Sequence, residues 1–540
     1  MNNKIIGFTI SKKAIDHNDV DVFKSKLNKL FFETSGLYVY LWGIGDIKKC
    51  FINTNCITLS FPIHSSLEDR NVLINIKNNL IEIENDWLGS IPIFYNKNRN
   101  IVSTLINKTL PNSIKNIDNE GLYNYLEFGF CVFEHTPFIE TKFLRHFSKI
   151  TMNKSKISIK YKKDYFLNIQ KSFSIPNKVI NLIDNYINTN ASKTSGKIII
   201  PTSGGYDSRL LNFLFKDKEK IKSFTYGITN LDKLPSCEVA KAEKLSEILH
   251  TKWKEIKLGC FHKYYEDWFK LFGCSTHLHG MYQIEFYKEI LQYLGANKKM
   301  TVLSGIIGDG WSGKLEIGHI NNFHDLVSLG YTHNLSGKGY FSKFPTNHSY
   351  TKKYYIKNKN FINKQNISPI LTLRLKIILL SYLISIPDYL GIPTWAPFLN
   401  FDIVKSLLSI EPSKRFGRVW ESEFFKSKGI NLETMNISCT NTNTLNKEGQ
   451  DKLPLAGINI ISLMKLIKVN YLLSIPIKKF SVNYLLPVIN KISHLLIYFP
   501  PIGKYADKTK EELIKMTNWY THLLVFKSLD MTINKIKNEK

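Results

Sequence analysis

The 540-residue sequence predicts a multidomain chain of mixed α/β and α+β class. Three observations lead there. The first ~170 residues alternate short β-rich runs with turns and hold little helix, the pattern of antiparallel sheets packed face to face. From about Pro176 strands alternate with amphipathic helices, which implies a mostly parallel sheet with its ligand site at the carboxyl ends of the strands. From about Thr440 a polar stretch leads into apolar helical segments, read as a helical C-terminal extension. The boundaries expected are 1–170, 175–435 and 440–540.

The elements follow in order. Leu37 to Leu41, Ile57 to Phe61 and Leu80 to Glu84 are the clearest early strands. Lys197 to Pro201 is a β-branched run bounded by turn residues and reads as a buried strand, and Arg209 to Leu214 reads as helix. Ser223 to Gly227 is a second strand of this region. After it, Val239, Ala242, Leu245 and Leu249 recur at helical spacing and define one apolar face. Lys299 to Leu303 is a further strand, ending at Ser304-Gly305. The polar run Thr440 to Thr444 reads as a linker, and the helical segments after it are broken by Pro476, Pro487, Pro500 and Pro501.

Between the strand at Lys197 and the helix at Arg209 lies Ser203-Gly204-Gly205-Tyr206-Asp207-Ser208. Paired glycines between a buried strand and a helix leave backbone N–H groups uncovered, and the helix start adds its dipole and unpaired donors. Ser203 and Ser208 add hydroxyls, and Asp207 is placed to hold a Mg²⁺ that bridges phosphate oxygens. The Gly-Lys-Ser/Thr of the mononucleotide P-loop does not follow. Such a loop alone is also ordinary turn chemistry. Its flanking strand and helix are the context that an anion site requires.

Lys and Arg number 73 against 45 Asp and Glu, a net charge of +28, but the lysines are dispersed among Asn and Ile rather than gathered in one patch. A polyanionic substrate fits this charge as easily as a nucleic acid, and no RNA-binding motif is present. The seven cysteines form no CxxC pair and no zinc spacing, and read as reduced thiols of a cytoplasmic protein. The N-terminus lacks the apolar core of a signal peptide. No apolar stretch reaches the ~18–20 residues needed to span a bilayer. The nearest, Ile377 to Pro387, reads as a buried helix behind Arg374 and Lys376.

On these motifs the chain resembles the asparagine synthetase family over most of residues 1 to about 430. Asn85 to Tyr95 (NDWLGSIPIFY) is similar to the family's Gly-Asp-x-x-Gly-x-x-Pro-Leu-Tyr-Tyr, and Leu122 to Thr136 is similar to a later stretch of the same domain. Ser203 to Ser208 matches the PP-loop, the pyrophosphate-binding Ser-Gly-Gly-x-Asp-Ser, position for position. Leu303 to Gly313 aligns with Leu-Ser-Gly-Glu-Gly-x-Asp-Glu-x-x-Gly, and Pro397-Phe398-Leu399 with Pro-Phe-Leu-Asp, Asn400 replacing the aspartate.

The resemblance implies an N-terminal glutaminase-like sandwich of two β-sheets between helices, then a PP-loop ATP-binding domain. It implies ATP and Mg²⁺ as cofactors. ATP would be held by Ser203, Gly204, Gly205, Asp207, Ser208, Tyr226, Ser304 and Gly305, and the metal by Asp207 and Asp309. The family's glutaminase nucleophile is a Cys after the initiator Met. Asn2 stands there, so the N-terminal domain is expected to keep the fold without hydrolysing glutamine. The family's late catalytic lysine has no clear match, Lys447 being the nearest basic residue, and Ile306 and Gly310 replace acidic residues beside Asp309.

The reaction implied is adenylation of a carboxylate, which turns an oxide-like leaving group into AMP, followed by attack of ammonia or an amine to give an amide. The carboxylate is an amino acid or a sugar uronate of surface polysaccharide, with His277 and His279 as residues to contact it. Neither a nucleic-acid partner nor a transmembrane segment is expected, and a homodimer is left open. A non-catalytic nucleotide-binding relative and a PP-loop tRNA-modifying enzyme are the alternatives.

Overall fold

The computed structural model describes residues 3–16, 20–167, 173–227, 234–295, 298–330, 338–440, 445, 458–481, 485, 488 and 519–539. Asn2, Lys447 and most of the expected linker lie outside the described residues.

The N-terminal region forms two six-stranded sheets. The first contains β1 (Lys4–Ser11), β2 (Asn28–Thr34), β3 (Leu37–Ile44), β8 (Phe94–Asn96), β9 (Ile101–Ser103) and β10 (Thr141–Phe143), in the order β10-β8-β9-β1-β3-β2. The second contains β4 (Phe51–Asn53), β5 (Cys56–Thr58), β6 (Val72–Lys77), β7 (Leu80–Asn85), β11 (Ser148–Met152) and β12 (Ile157–Tyr161), in the order β12-β11-β7-β6-β5-β4. The registered pairs in both are antiparallel. Alternation along the strands sends Phe8, Ile10, Val39 and Leu41 of one sheet against Ile74, Ile81, Ile83 and Ile150 of the other, a closed apolar layer between them. Trp42 and Phe94 instead join a second core with Leu122 and Tyr125 of α1 (Asn119–Phe128).

After α2 (Pro176–Ala191), a parallel sheet forms from β13 (Lys197–Pro201), β14 (Ile221–Gly227), β15 (Lys252–Lys257), β16 (Met300–Leu303) and β17 (Thr394–Trp395). Its order is β15-β14-β13-β16-β17. The chain leaves β13 toward one edge and later returns to its other side with β16. This reversal opens a crevice at the carboxyl ends of β13 and β16, where ligands bind in open parallel sheets. The helices of this region are α3 (Tyr206–Leu214), α4 (Cys237–Leu249), α5 (Tyr282–Leu294), α6 (Gly308–Ser312), α7 (Ser349–Asn358), α8 (Ser368–Leu380), α9 (Tyr382–Tyr389), α10 (Phe401–Leu408) and α11 (Val419–Ser427).

Four readings of the sequence need correction. The apolar stretch is longer than expected: α8 and α9 together, Ser368–Tyr389, are long and apolar enough to cross a membrane, with mean hydropathy 1.8. Some 83% of the most apolar window is buried inside the protein, because the neighbouring sheets and helices cover it. The cysteines are not all thiols: Cys237 and Cys439 form a disulfide, with Cα atoms 4.8 Å apart. A short parallel bridge, Ser236 to Thr440, brings together the two cysteines, which lie 202 positions apart, a proximity that sequence spacing does not reveal. Thiol content therefore no longer supports a reducing compartment. Pro476 does not break its segment, since α12 (Val469–Phe480) runs through it.

The C-terminal part is helical, as expected, but it is not peripheral. In α13 (Trp519–Asn538), Leu523, Leu524, Val525, Phe526 and Leu529 are fully buried in the core shared with α1 and α5. Tyr125 Oη donates to Val525 O (3.1 Å), and Ser528 Oγ donates to Gly273 O (2.6 Å).

Candidate active site

The loop after β13 is built from the sequence upward. Thr202 continues the sheet by donating its N–H to Phe224 O (2.8 Å). Asn212, in the last turn of α3, donates to Thr202 Oγ1 (3.0 Å) and accepts from Ser223 Oγ (2.7 Å), so a polar ladder pins α3 across β13 and β14. Gly204 has φ +70°, and a Cβ there would lie 2.4 Å from Lys241 Cβ on α4, so the turn admits only glycine. Ser208 Oγ donates to Gly205 O (3.2 Å) and accepts from Ser203 N–H (3.3 Å), bracing the loop rather than pointing outward. No side chain caps α3 at Gly205, so the N–H groups of its first turn stay open toward the crevice.

Across the crevice the chain leaves β16 through Ser304 to Ile307. Ile307 adopts φ +57°, a left-handed conformation that is costly for a β-branched residue. This turn presses Gly308 against Asp207: a Cβ at Gly308 would lie 2.7 Å from Asp207 Cγ. One at Gly305 would lie 3.3 Å from Asp207 Cβ. The structure thus brings Ser203 to Ser208 and Ser304 to Asp309 into one site. Tyr226, next to last in β14, lies beside them, but its ring packs on Tyr282 and Phe286 (centroids 5.2 and 5.4 Å), leaving only backbone for a ligand.

The charges are arranged otherwise than the motif suggests. Arg418, with φ +61° after Gly417 at φ +63°, places its guanidinium on both Asp207 and Glu421. Burial pushes the Asp207 carboxyl up to about 8; Arg418 opposes that shift, while Glu421 and Asp309 add to it. Burial also raises Glu421, against the pull of Arg418. Burial works against the Arg418 charge, but Asp207 and Glu421 more than restore it. Behind Asp309, burial lowers Lys376 on α8 to about 8, with Asp309 opposing.

A resident Mg²⁺ does not fit this donor set. Asp207 already carries a guanidinium, and Asp309, about half exposed, faces Lys314 at 3.6 Å. Among the described residues no three His, Cys, Asp or Glu side chains gather to hold a metal ion. An ATP phosphate does fit, because the uncapped turn offers donors and Arg418 Nη1 has no partner among the described residues.

Several residues of the site escaped the sequence reading. Arg209, fully buried in α3, donates to Gly204 O (2.8 Å) and forms a two-pronged pair with Glu433 (2.7 and 2.9 Å), holding the loop from below. Arg418 and Glu421 are the others. His277 is 2% exposed, its pKa lowered to about 3 by burial and by His279, and its Nδ1 accepts from His279 N–H (3.2 Å). It is a neutral core residue in this arrangement. Asn400 caps α10 by accepting from Ile403 N–H (3.1 Å) and donates to Asp69 (3.0 Å), which explains its place after Pro397 to Leu399.

No protein-family model and no curated protein matches this chain. Among solved structures it is similar to the NH3-dependent NAD synthetase from Campylobacter jejuni subsp. jejuni NCTC 11168 in complex with the nitrate ion, at 16% identity and a TM-score of 0.23. That likeness covers 38% of this chain and 96% of the synthetase. It is weak and partial, and no step of the chemistry rests on it.

Proposed function

We propose that the protein is an ATP-dependent amide-forming ligase that adenylates a carboxylate, releases pyrophosphate, and passes the acyl group to ammonia or an amine. The observation that carries this reading is the uncapped first turn of α3, opening into the crevice between β13 and β16 opposite Ser304 to Asp309. Open N–H groups of Tyr206 to Ser208 receive the departing pyrophosphate oxygens, and the α3 dipole favours their charge. Arg418 Nη1 supplies a further donor at the same edge, in the part that the unmatched late lysine would play. Magnesium enters on the nucleotide, as part of the MgATP substrate.

The N-terminal sandwich is, in this reading, a glutaminase-like domain without its nucleophile, so free ammonia or a substrate amine is the nitrogen source. Purified protein should release no glutamate from glutamine. The test of the ligase itself is carboxylate-dependent exchange of labelled pyrophosphate into ATP, run over amino acids and sugar uronates. Exchange with at least one acid, abolished in Gly204→Ala, whose Cβ would push the loop off α4, is expected; exchange that survives in that variant would refute the site.

One observation favours a second reading, a nucleotide-binding protein without catalysis: the guanidinium of Arg418 sits on Asp207. MgATP would then raise the unfolding midpoint while no acid promotes exchange.

A further inference from the structure

On the far side of α8 from the phosphate loop lies a cavity of about 800 Å³. Helical spacing separates the two. Leu371, Arg374, Leu375 and Ile378 line the cavity, with Ile377 at its margin, whereas Leu373 abuts Gly310 and Lys376 faces Asp309. The other walls are the edge strand β10, the segment from Phe133 to His135, the end of β12 and α7. The volume suits a ligand of ordinary metabolite size.

The lining is cationic and aromatic. Six side chains of positive charge, Lys142, Arg145, Lys162, Lys353, Lys357 and Arg374, face two carboxylates, Glu134 and Asp164. Asp164 is spent on Arg374 (2.5 Å) and lies 3.5 Å from His146; Lys162 turns to Glu84 outside the cavity. Arg145 stacks on Tyr161 (3.9 Å), reaches Glu134 only at 4.0 Å, and keeps a buried Nε without a hydrogen-bond partner. No described residue forms an ion pair with Lys142, Lys353 or Lys357. His146 is driven down to about 3 by burial and by Arg374, and Lys357 is lowered by its sheltered position and by Arg145, so the surplus positive charge is felt inside. The wall is also strained: Phe133, Glu134 and Phe147 all hold left-handed backbone, with φ of +56°, +70° and +51°. Strain of this kind concentrates at ligand sites.

We propose that this cavity is a binding site for a small molecule bearing two or more acid groups, carboxylate or phosphate, on an aromatic or apolar body. Arg145, Lys142 and Lys357 hold the acid groups, and Phe133, Tyr350 and Tyr354 cover the body. The site is separate from the phosphate loop and does not rest on the ligase reading.

The experiment is calorimetric titration of the full chain with saturating MgATP present, so that the loop is not the reporter. Two probes are used: benzene-1,3,5-tricarboxylate for the carboxylate source and uridine diphosphate for the phosphate source. At least one binds once per chain with Kd below about 1 mM. Arg145→Gln and Lys357→Gln, at positions that reach solvent, each weaken that probe by at least about tenfold. Lys48→Gln, exposed and remote, leaves it unchanged. Whichever probe responds identifies the acid chemistry. Absence of binding by both probes, unchanged affinity in both cavity variants, or an equal loss in Lys48→Gln (diffuse attraction to a basic protein) would overturn the site.

Discussion

Arg418→Met tests how the acids of the crevice are held. Folded Asp207 keeps its proton to about pH 8, against an ordinary value of 3.8, so the folded protein binds more protons than the unfolded chain and loses stability as pH rises between those values. With Arg418 present, Asp207 and Glu421 share one guanidinium and retain one negative charge at neutral pH. Without it, that charge must remain buried unpaired or take up a second proton. Protonating a carboxyl of ordinary value 4.5 costs about 1.4 kcal/mol per pH unit above it. The penalty is therefore about 1 kcal/mol near pH 5.5. Near pH 8 it reaches about 5 kcal/mol, at the upper end of the range for breaking a buried ion pair. Urea unfolding at both pH values, followed by tryptophan fluorescence, measures it; Trp311 and Trp420 lie beside the pair's helices and are buried. A loss equal at the two pH values, or larger at the acidic one, would refute the shared-guanidinium reasoning.

Gly204→Ala should abolish the MgATP-induced rise in unfolding midpoint and cost about 1–3 kcal/mol, because the new Cβ meets α4 at a left-handed turn. Trp87→Phe leaves Leu399 O, now bonded to Nε1 at 3.0 Å, buried without a donor, beside a small void where the indole was; a loss of about 1–3 kcal/mol or more in urea unfolding is expected. Thiol titration of the protein unfolded without reductant should find five free thiols, and Cys237→Ser should lower stability by up to about 5 kcal/mol on the chain-entropy estimate for so long a loop. Seven titratable thiols would contradict the pairing.

What could be read in the sequence was whatever one segment determines alone. The turn at Gly204 and Gly205 is legible because a strand, two glycines and a helix start leave the backbone few choices. The strands are legible from alternation, as at Leu80 to Asn85, where every second side chain enters the sandwich. Pairings between distant segments were not. Arg209 meets Glu433 224 residues later, and Asp207 meets Arg418 211 residues later, and neither arginine stands in a recognisable pattern. Burial of α13 escaped for a different reason, since an apolar helix that forms a core and one that merely packs on a surface share one periodicity. The same ambiguity hid the length of the buried pair α8–α9.

The segments singled out as motifs far apart in the chain meet in space, and that meeting shows how the N-terminal sandwich supports the crevice. Trp87 Nε1 donates to Leu399 O (3.0 Å) and Trp311 Nε1 donates to Phe398 O (2.9 Å), their rings 5.9 Å apart. Arg374 on α8 donates to Trp87 O (2.7 Å), and Lys4 on β1 is buried against Asp388 (2.6 Å) and Thr394 O (2.8 Å) of β17. Burial lowers Lys4 to about 8 against the pull of Asp388, so this cation is tolerated only with its partner in place. The turn carrying Asp309 and the strand β17 thus take part of their core from the sandwich. Removing the sandwich would uncover Trp311, Phe398 and α8 together and strip Asp388 of its cation. The crevice therefore depends on the sandwich for its shape, independently of any chemistry of the sandwich itself.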